Sequence, residues 1–126
     1  MIRVLAVNHV SLLVGDTARA LGFYRDLLNI QLDASRPDLG FPGAFLRIGA
    51  VQIHLLELPA PGAPATLPAH AGRDRHLALE IADLEAARAA LAAAGIDYTL
   101  SRSGRRALFC RDPDGNGIEL VERLPG

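Results

Sequence analysis

"RHLALEIADLEAARAALAAAG", residues 75–95, sets two periodicities end to end, and their junction decides the fold. From His76 to Ile81 the side chains alternate, Leu77, Leu79 and Ile81 on one side and His76, Ala78 and Glu80 on the other, as a strand with one apolar face requires. Asp83 then stands where a helix N-cap belongs, "LEAARAALAAA" reads as a helix, and Gly95 supplies a left-handed stop. The stretch is therefore a strand and its covering helix. Small alanines let that helix lie close on the leucine side.

Working outward, "DYTLSRS", "RALFCR" and "GIELVER" read as three further strands, so this half of the chain is βαβββ. The other half repeats the order. "AVNHVSLLV" is a strand, and Asp16 caps "TARALGFYRDLL", where Ala20, Leu21, Tyr24, Leu27 and Leu28 share a helical face. Strands around "IQLDAS", "GAFLRIG" and "VQIHLLEL" follow. At an offset of 67 residues His9 falls on His76, Leu12 on Leu79, Val14 on Ile81 and Asp16 on Asp83. At an offset of 65, Ile53 falls on Ile118, His54 on Glu119, Leu55 on Leu120 and Glu57 on Glu122. Agreement at cap and polar positions marks two degenerate copies of one unit. Between them runs "PAPGAPATLPAHAGRD", where Pro59, Pro61, Pro64 and Pro68 oppose helix and ladder alike. The expectation is an α+β fold in one domain, residues 1–126. Module 1 is about residues 4–58, a connector 59–74 and module 2 about 75–123.

Composition narrows the function. A chain of 126 residues fits one domain with a real core. Thirteen basic against fourteen acidic residues leave a net charge of −1, no footprint for nucleic acid and no polybasic membrane patch. No apolar run reaches the roughly 20 residues needed to span a bilayer. One cysteine, Cys110, excludes an internal disulfide framework, and "MIRVLAVNHVSLLV" lacks the features of a signal peptide. A cytoplasmic protein with a small-molecule substrate is expected.

Alternation puts His9 and Ser11 opposite Val10, Leu12 and Val14, His54 opposite Ile53 and Leu55, His76 opposite Leu77 and Leu79, and Glu119 opposite Ile118 and Leu120. If the apolar sides carry the helices, the other sides form a concave surface bearing His9, His54, His76 and Glu119. Three imidazoles and a carboxylate suit Zn, Ni, Fe, Mn or Co better than Ca or Mg. An open coordination sphere would let a substrate's paired oxygens reach the ion, and Glu119 could serve as both ligand and general base. Arg73 and Arg75, with Arg102, Arg105 and Arg106, stand near the expected rim, where guanidinium groups bind carboxylate or phosphate. Ser11, Leu13, Leu56 and Phe41 or Phe45 would line the pocket, with Arg73, Arg105, Ser11 and Phe45 the candidate substrate contacts. His70, in the connector, reads as solvated, and Cys110 as a small core residue.

"NHVSLLV" with "LGFYRDLL", "QIHLLE", "RHLALEIADLEAARAALAAAG" and above all "FCRDPDGNGIELVE" resemble the glyoxalase / bleomycin resistance / extradiol dioxygenase family, the vicinal oxygen chelate superfamily. The resemblance spans nearly the whole chain. It implies two βαβββ modules whose sheets curl as half-barrels around a divalent metal, with His9, His54, His76 and Glu119 as ligands. It further implies a homodimer. Three functions stay open. One is a glyoxalase-type lyase or isomerase, or a related transferase or epimerase, with or without a thiol cosubstrate, acting on a small anionic substrate. The second is an extradiol-type iron dioxygenase held by His9, His76 and Glu119, with His54 outside the ligand set. The third is a metal-free ligand-sequestering protein of the bleomycin-resistance kind.

Overall fold

The computed structural model describes residues 1–59 and 66–124. The chain divides into two compact units, Met1–Ala63 and Pro64–Gly126, each with the expected βαβββ order. In the first, β1 (His9–Val14) leads into α1 (Thr17–Leu21), followed by β2 (Gln31–Asp33), β3 (Gly43–Ile48) and β4 (Val51–Glu57). In the second, β5 (His76–Ile81) leads into α2 (Leu84–Ala93), followed by β6 (Thr99–Leu100), β7 (Ala107–Arg111) and β8 (Gly117–Glu122). Each unit forms one open mixed sheet, ordered β1-β4-β3-β2 and β5-β8-β7-β6, whose first and last strands lie side by side in parallel.

The repeat extends to individual hydrogen bonds. Asp16 accepts from the Arg19 amide at 2.9 Å and Asp83 from the Ala86 amide at 3.1 Å, which caps both helices. At the end of β4 Glu57 accepts from the Thr17 amide, and at the end of β8 Glu122 accepts from the Leu84 amide, both at 2.7 Å. Each glutamate thus ties the last strand of its unit to the first turn of its helix. This is why the offset pairs Asp16 with Asp83 and Glu57 with Glu122.

The helix-facing sides carry the cores. Val14, Ala20, Leu46, Ile53 and Leu55 are buried in the first unit, and Leu84, Leu91, Leu108, Cys110, Ile118 and Leu120 in the second. Each large side chain so buried contributes about 1.5–3 kcal/mol. Leu77, Leu79 and Ile81 alternate as expected but are only half-buried, because β5 is an edge strand.

Three elements depart from the sequence reading. The first helix continues beyond α1 as a π-helical turn, Gly22–Leu27, with the Leu28 amide bonded to the Phe23 carbonyl at 2.9 Å. The wider turn brings both Phe23 and Tyr24 inward, their rings edge to face at 4.9 Å, while Leu21, Leu27 and Leu28 stay half-buried. Of "DYTLSRS", Thr99 and Leu100 form the strand against β7 and the Ser101 amide adds one bond to the Ala107 carbonyl at 2.9 Å; the next residues turn on Ser101–Ser103 hydroxyl bonding and on Gly104, whose φ is +85°. In the connector, Ala71–Arg73 forms a 3-10 turn, and Arg111 of β7 holds Asp74 at 3.0 Å and the Pro68 carbonyl at 2.6 Å. Pro61 and Pro64 lie outside the described residues. No helix among the described residues is long and apolar enough to cross a membrane.

Candidate metal centre

In the second unit β5 and β8 run parallel with His76 opposite Gly117 and Ala78 opposite Glu119, so His76 and Glu119 share the face away from the helix. Gly117 makes this approach possible, since a Cβ there would stand 3.0 Å from the His76 Cβ and 2.7 Å from the Arg75 carbonyl oxygen. Glu119 is only 2% exposed, and His76 Nε2 lies 3.2 Å from its Oε1. His76 Nδ1 is 2.9 Å from the Asp74 carbonyl oxygen, which can only accept. Nδ1 therefore carries the proton, and Nε2 is the nitrogen turned toward the carboxylate. Arg105 Nη2 donates to Glu119 Oε2 at 2.9 Å, so this buried carboxylate has a cationic partner, as burial of a charge demands. Phe109, opposite Glu119 on β7, presents its ring edge-on to His76 at 5.1 Å.

In the first unit His54 is opposite Ser11 on β1 and Phe45 on β3. Its ring is sandwiched: it stacks on Phe45 at 3.6 Å with a 3° tilt and on His9 at 3.9 Å with a 13° tilt. Gln52 Nε2 donates to Asp33 at 2.9 Å, which leaves its Oε1 to accept from His54 Nε2 at 3.0 Å. Burial first, then the positive charge of His9 and Arg36, pushes His54 below the ordinary histidine value, against the opposing pull of Asp33. Asp33 is itself held well below the usual carboxylate range by hydrogen bonds from Ser35, Gln52 and Arg47. His9 Nδ1 meets the Asn8 side-chain oxygen at 2.7 Å, so in His9, as in His76, Nδ1 is engaged and Nε2 is the nitrogen that could hold an ion.

These residues fit a first-row divalent ion in part. Two donors about 2.1 Å from one ion and at right angles to each other are about 3 Å apart, close to the His76–Glu119 separation of 3.2 Å. His9 and His54 do not fit as a pair, because an ion lies in the plane of each imidazole that binds it and two stacked planes share no such point. Ligation by His54 requires its ring to leave the stack. Among the described residues no three His, Cys, Asp or Glu side chains are grouped to hold an ion; the second unit offers the pair His76 and Glu119, while the two histidines of the first are stacked.

Of the other expected contacts, Ser11 is exposed on β1 beside His54, Phe45 forms the stack, and Leu13 lies opposite Leu56 on the same face. Arg105 is engaged with Glu119, and Arg73 ends the 3-10 turn, exposed to water. His70 corrects an expectation: it is half-buried, with Nδ1 2.6 Å from the Thr99 hydroxyl and its ring edge-on to Phe109 at 4.9 Å. The connector is held against β6 and β7, which removes His70 from bulk water. Phe109 also walls a cavity of about 230 Å³ with Ala71, Ile96, Tyr98, Thr99 and Cys110. Sequence reasoning missed Gln52, Asp33 and Arg36, whose roles arise across strands and loops; alternation alone placed Gln52 on the histidine face.

Two βαβββ units, each opening its first strand on a histidine and carrying a histidine or a glutamate on its last, define a tandem-module class of protein. The family model of the "Glyoxalase/Bleomycin resistance protein/Dioxygenase superfamily" matches residues 6–120, and the chain belongs to that superfamily. An ethylmalonyl-CoA/methylmalonyl-CoA epimerase of Cereibacter sphaeroides is 32% identical over 92% of this chain and 94% of its own length. A glyoxylase I 4 of Arabidopsis thaliana is 31% identical over 91% of this chain and 69% of its own. A mutant of the fosfomycin resistance protein of Listeria monocytogenes, complexed with Mn(II) and a dihydroxypropylphosphonic acid, has the same fold. Its TM-score is 0.74 at 19% identity, over 98% of this chain and 95% of that one.

Proposed function

We propose that this protein is a divalent-metal-dependent enzyme of the glyoxalase type, an isomerase, epimerase or lyase acting on a small anionic substrate with adjacent oxygens. The observation that carries the reading is the 3.2 Å approach of His76 Nε2 to buried Glu119, with Nδ1 pinned by the Asp74 carbonyl. The proposed protein ligands are His76 and Glu119 in the second unit and, in the first, His9, with His54 available only when its ring leaves the Phe45 stack. The ion is a first-row metal among Zn, Ni, Fe, Mn and Co. When bound it supplies Lewis-acid polarisation of a substrate oxygen.

The chain's own groups do the rest. Glu119 is the candidate catalytic residue: Oε2 stays on Arg105, and Oε1, when it is not holding an ion, takes or returns a proton at the substrate carbon, where burial keeps water from competing. The Phe45–His54–His9 stack offers a flat wall for the substrate. Similarity to an epimerase and to a glyoxylase I favours proton transfer next to a carbonyl over other chemistries. We further propose that the 126 residues work as one domain within a homodimer in the cytoplasm. Each sheet ends in unpaired edges, and Ile2, Val4, Leu5 and Val7 are exposed ahead of β1.

A second reading has one observation behind it. With His54 stacked on both faces and bonded to Gln52, the first unit resembles an aromatic binding face more than half of a ligand set. A protein that sequesters a flat ligand without metal would use that arrangement.

Elemental analysis of protein purified without chelator separates the two. The enzyme reading expects a bound or restorable transition metal, with affinity reduced at least 100-fold in His76→Ala and Glu119→Gln. No such metal in the parent overturns it. With metal present, solvent-deuterium exchange into methylmalonyl-CoA, turnover of a hemithioacetal and oxygen uptake with a catechol distinguish epimerase, glyoxalase and dioxygenase.

A further inference from the structure

All thirteen basic residues of this chain are arginines, and the structure shows what most of them hold. Arg25 pairs with Asp26, Arg47 with Asp33, Arg88 with Glu85, Arg105 with Glu119, Arg106 with Glu122, Arg111 with Asp74 and Arg123 with Glu80. Arg3, Arg19, Arg73, Arg75 and Arg102 are exposed to water, which solvates a guanidinium at little cost. Arg36 fits neither description. It is half-buried, and no carboxylate among the described residues forms an ion pair with it.

The side chain is nonetheless held in place. Arg36 Nη2 donates to the Phe41 carbonyl at 2.7 Å, and the guanidinium lies over the Phe41 ring at 5.4 Å. It rests against Gly43, where a Cβ would stand 3.0 Å from Nη2 and 3.3 Å from Nε and would also run into the Leu55 carbonyl oxygen. Pro37 confines Arg36 to extended backbone, which limits the orientations its side chain can take. The Nε–H is buried and has no acceptor among the described residues. An unsatisfied buried donor is costly, and a guanidinium without countercharge adds to that cost. The chain maintains this arrangement beside the candidate site. Gly43 and Phe45 alternate onto one face of β3, Phe45 stacks on His54, and the positive charge of Arg36 is felt at His54.

We propose that Arg36 is the substrate-anchoring residue, taking a carboxylate or phosphate oxyanion of a small molecule on the sheet face that carries His9 and His54. This rests on the reading of that face as a substrate site. It moves the anion contact from Arg73 and Arg105, which sequence proximity suggested, to the β2–β3 loop. Arg105 is already neutralised by Glu119, and Arg73 is free to sample water. Among the described residues Arg36 alone is half-buried without a carboxylate partner, and a planar guanidinium so placed matches an oxyanion bidentately.

Calorimetric titration of the purified protein with malonate and with inorganic phosphate, and with uncharged malonamide as control, tests the proposal. Binding of either anion, with malonamide inert, is expected to weaken at least tenfold in Arg36→Gln and to recover in part in Arg36→Lys. Malonate binding alone would identify a carboxylate site, and phosphate binding alone a phosphate site. An Arg105→Gln variant should retain more affinity than Arg36→Gln. In the unaltered protein the Arg36 side-chain Nε–H resonance should shift on anion addition more than any other arginine Nε–H, a readout that needs no variant to fold. Anion affinity within twofold of the parent in folded Arg36→Gln, no anion binding by the parent, or a largest shift at another arginine would overturn the proposal. Arg36-dependent binding in a protein that carries no metal would sink the enzyme reading and leave this one. Metal loading with anion affinity indifferent to Arg36 would do the reverse.

Discussion

Two acidic groups on adjacent strands show how neighbours decide what burial does to a side chain. Glu119 on β8 and Cys110 on β7 are 2% and 3% exposed, yet the carboxylate has His76 and Arg105 against it. The thiol has no such cation: burial, reinforced by the negative charge of Asp112, pushes it to about 12 from an ordinary 9.0. Cys110 should therefore resist a disulfide reagent at pH 8 in the folded protein and react fully once urea unfolds it. Rapid labelling of the native state would show the thiol to be exposed. The folded pKa lies above the unfolded one, so the thiol's contribution to stability is complete below about pH 9 and is lost as pH rises toward about 12. Urea midpoints that fall between pH 8 and pH 10.5 in the parent, but fall less in Cys110→Ala, would check the sign. That Cys110 is a core residue was legible in the alternation of "RALFCR". That Glu119 bonds Arg105 was not, because the contact closes across two strands and a turn.

At the scale of elements, the two helices start in the same way for the same reason. Asp16 and Asp83 cap them, and Glu57 and Glu122 bind their first amides from the far end of the sheet. Replacing Asp83 with Ala should destabilise the protein by about 1 kcal/mol, and Asp16→Ala by a similar amount, read as lower urea midpoints. An unchanged midpoint in both would mean that the caps are dispensable. Caps, strand faces and the Gly95 stop, whose φ is +71°, could all be read from local sequence, because each depends on residues a few positions apart. The π-turn at Gly22–Leu27 could not. Its extra residue is accommodated because Phe23 and Tyr24 are both buried in the core, and that burial depends on parts of the chain outside the helix. The shortness of β6 has a similar origin, since only two of its residues meet a partner on β7.

For the whole molecule, the proposed homodimer predicts a particle of twice the 13.4 kDa chain mass by light scattering after size exclusion. A monomeric mass would leave the exposed apolar residues before β1 and the open sheet edges without that explanation. What the sequence by itself determined is the duplicated βαβββ order, the identity of the residues on each face and the chemistry of the set His9, His54, His76 and Glu119. These follow from periods of two and 3.6 residues and from an offset between halves, all of which are properties of the chain as a string. Only the tertiary structure decided that His76 faces Glu119 through Nε2, that His54 lies in a stack with Phe45 and His9, and that Arg36 rests uncompensated against Gly43. Each of these depends on which residue of one strand or loop meets which residue of another. That register is set when the apolar faces pack, and no local pattern in the sequence encodes it.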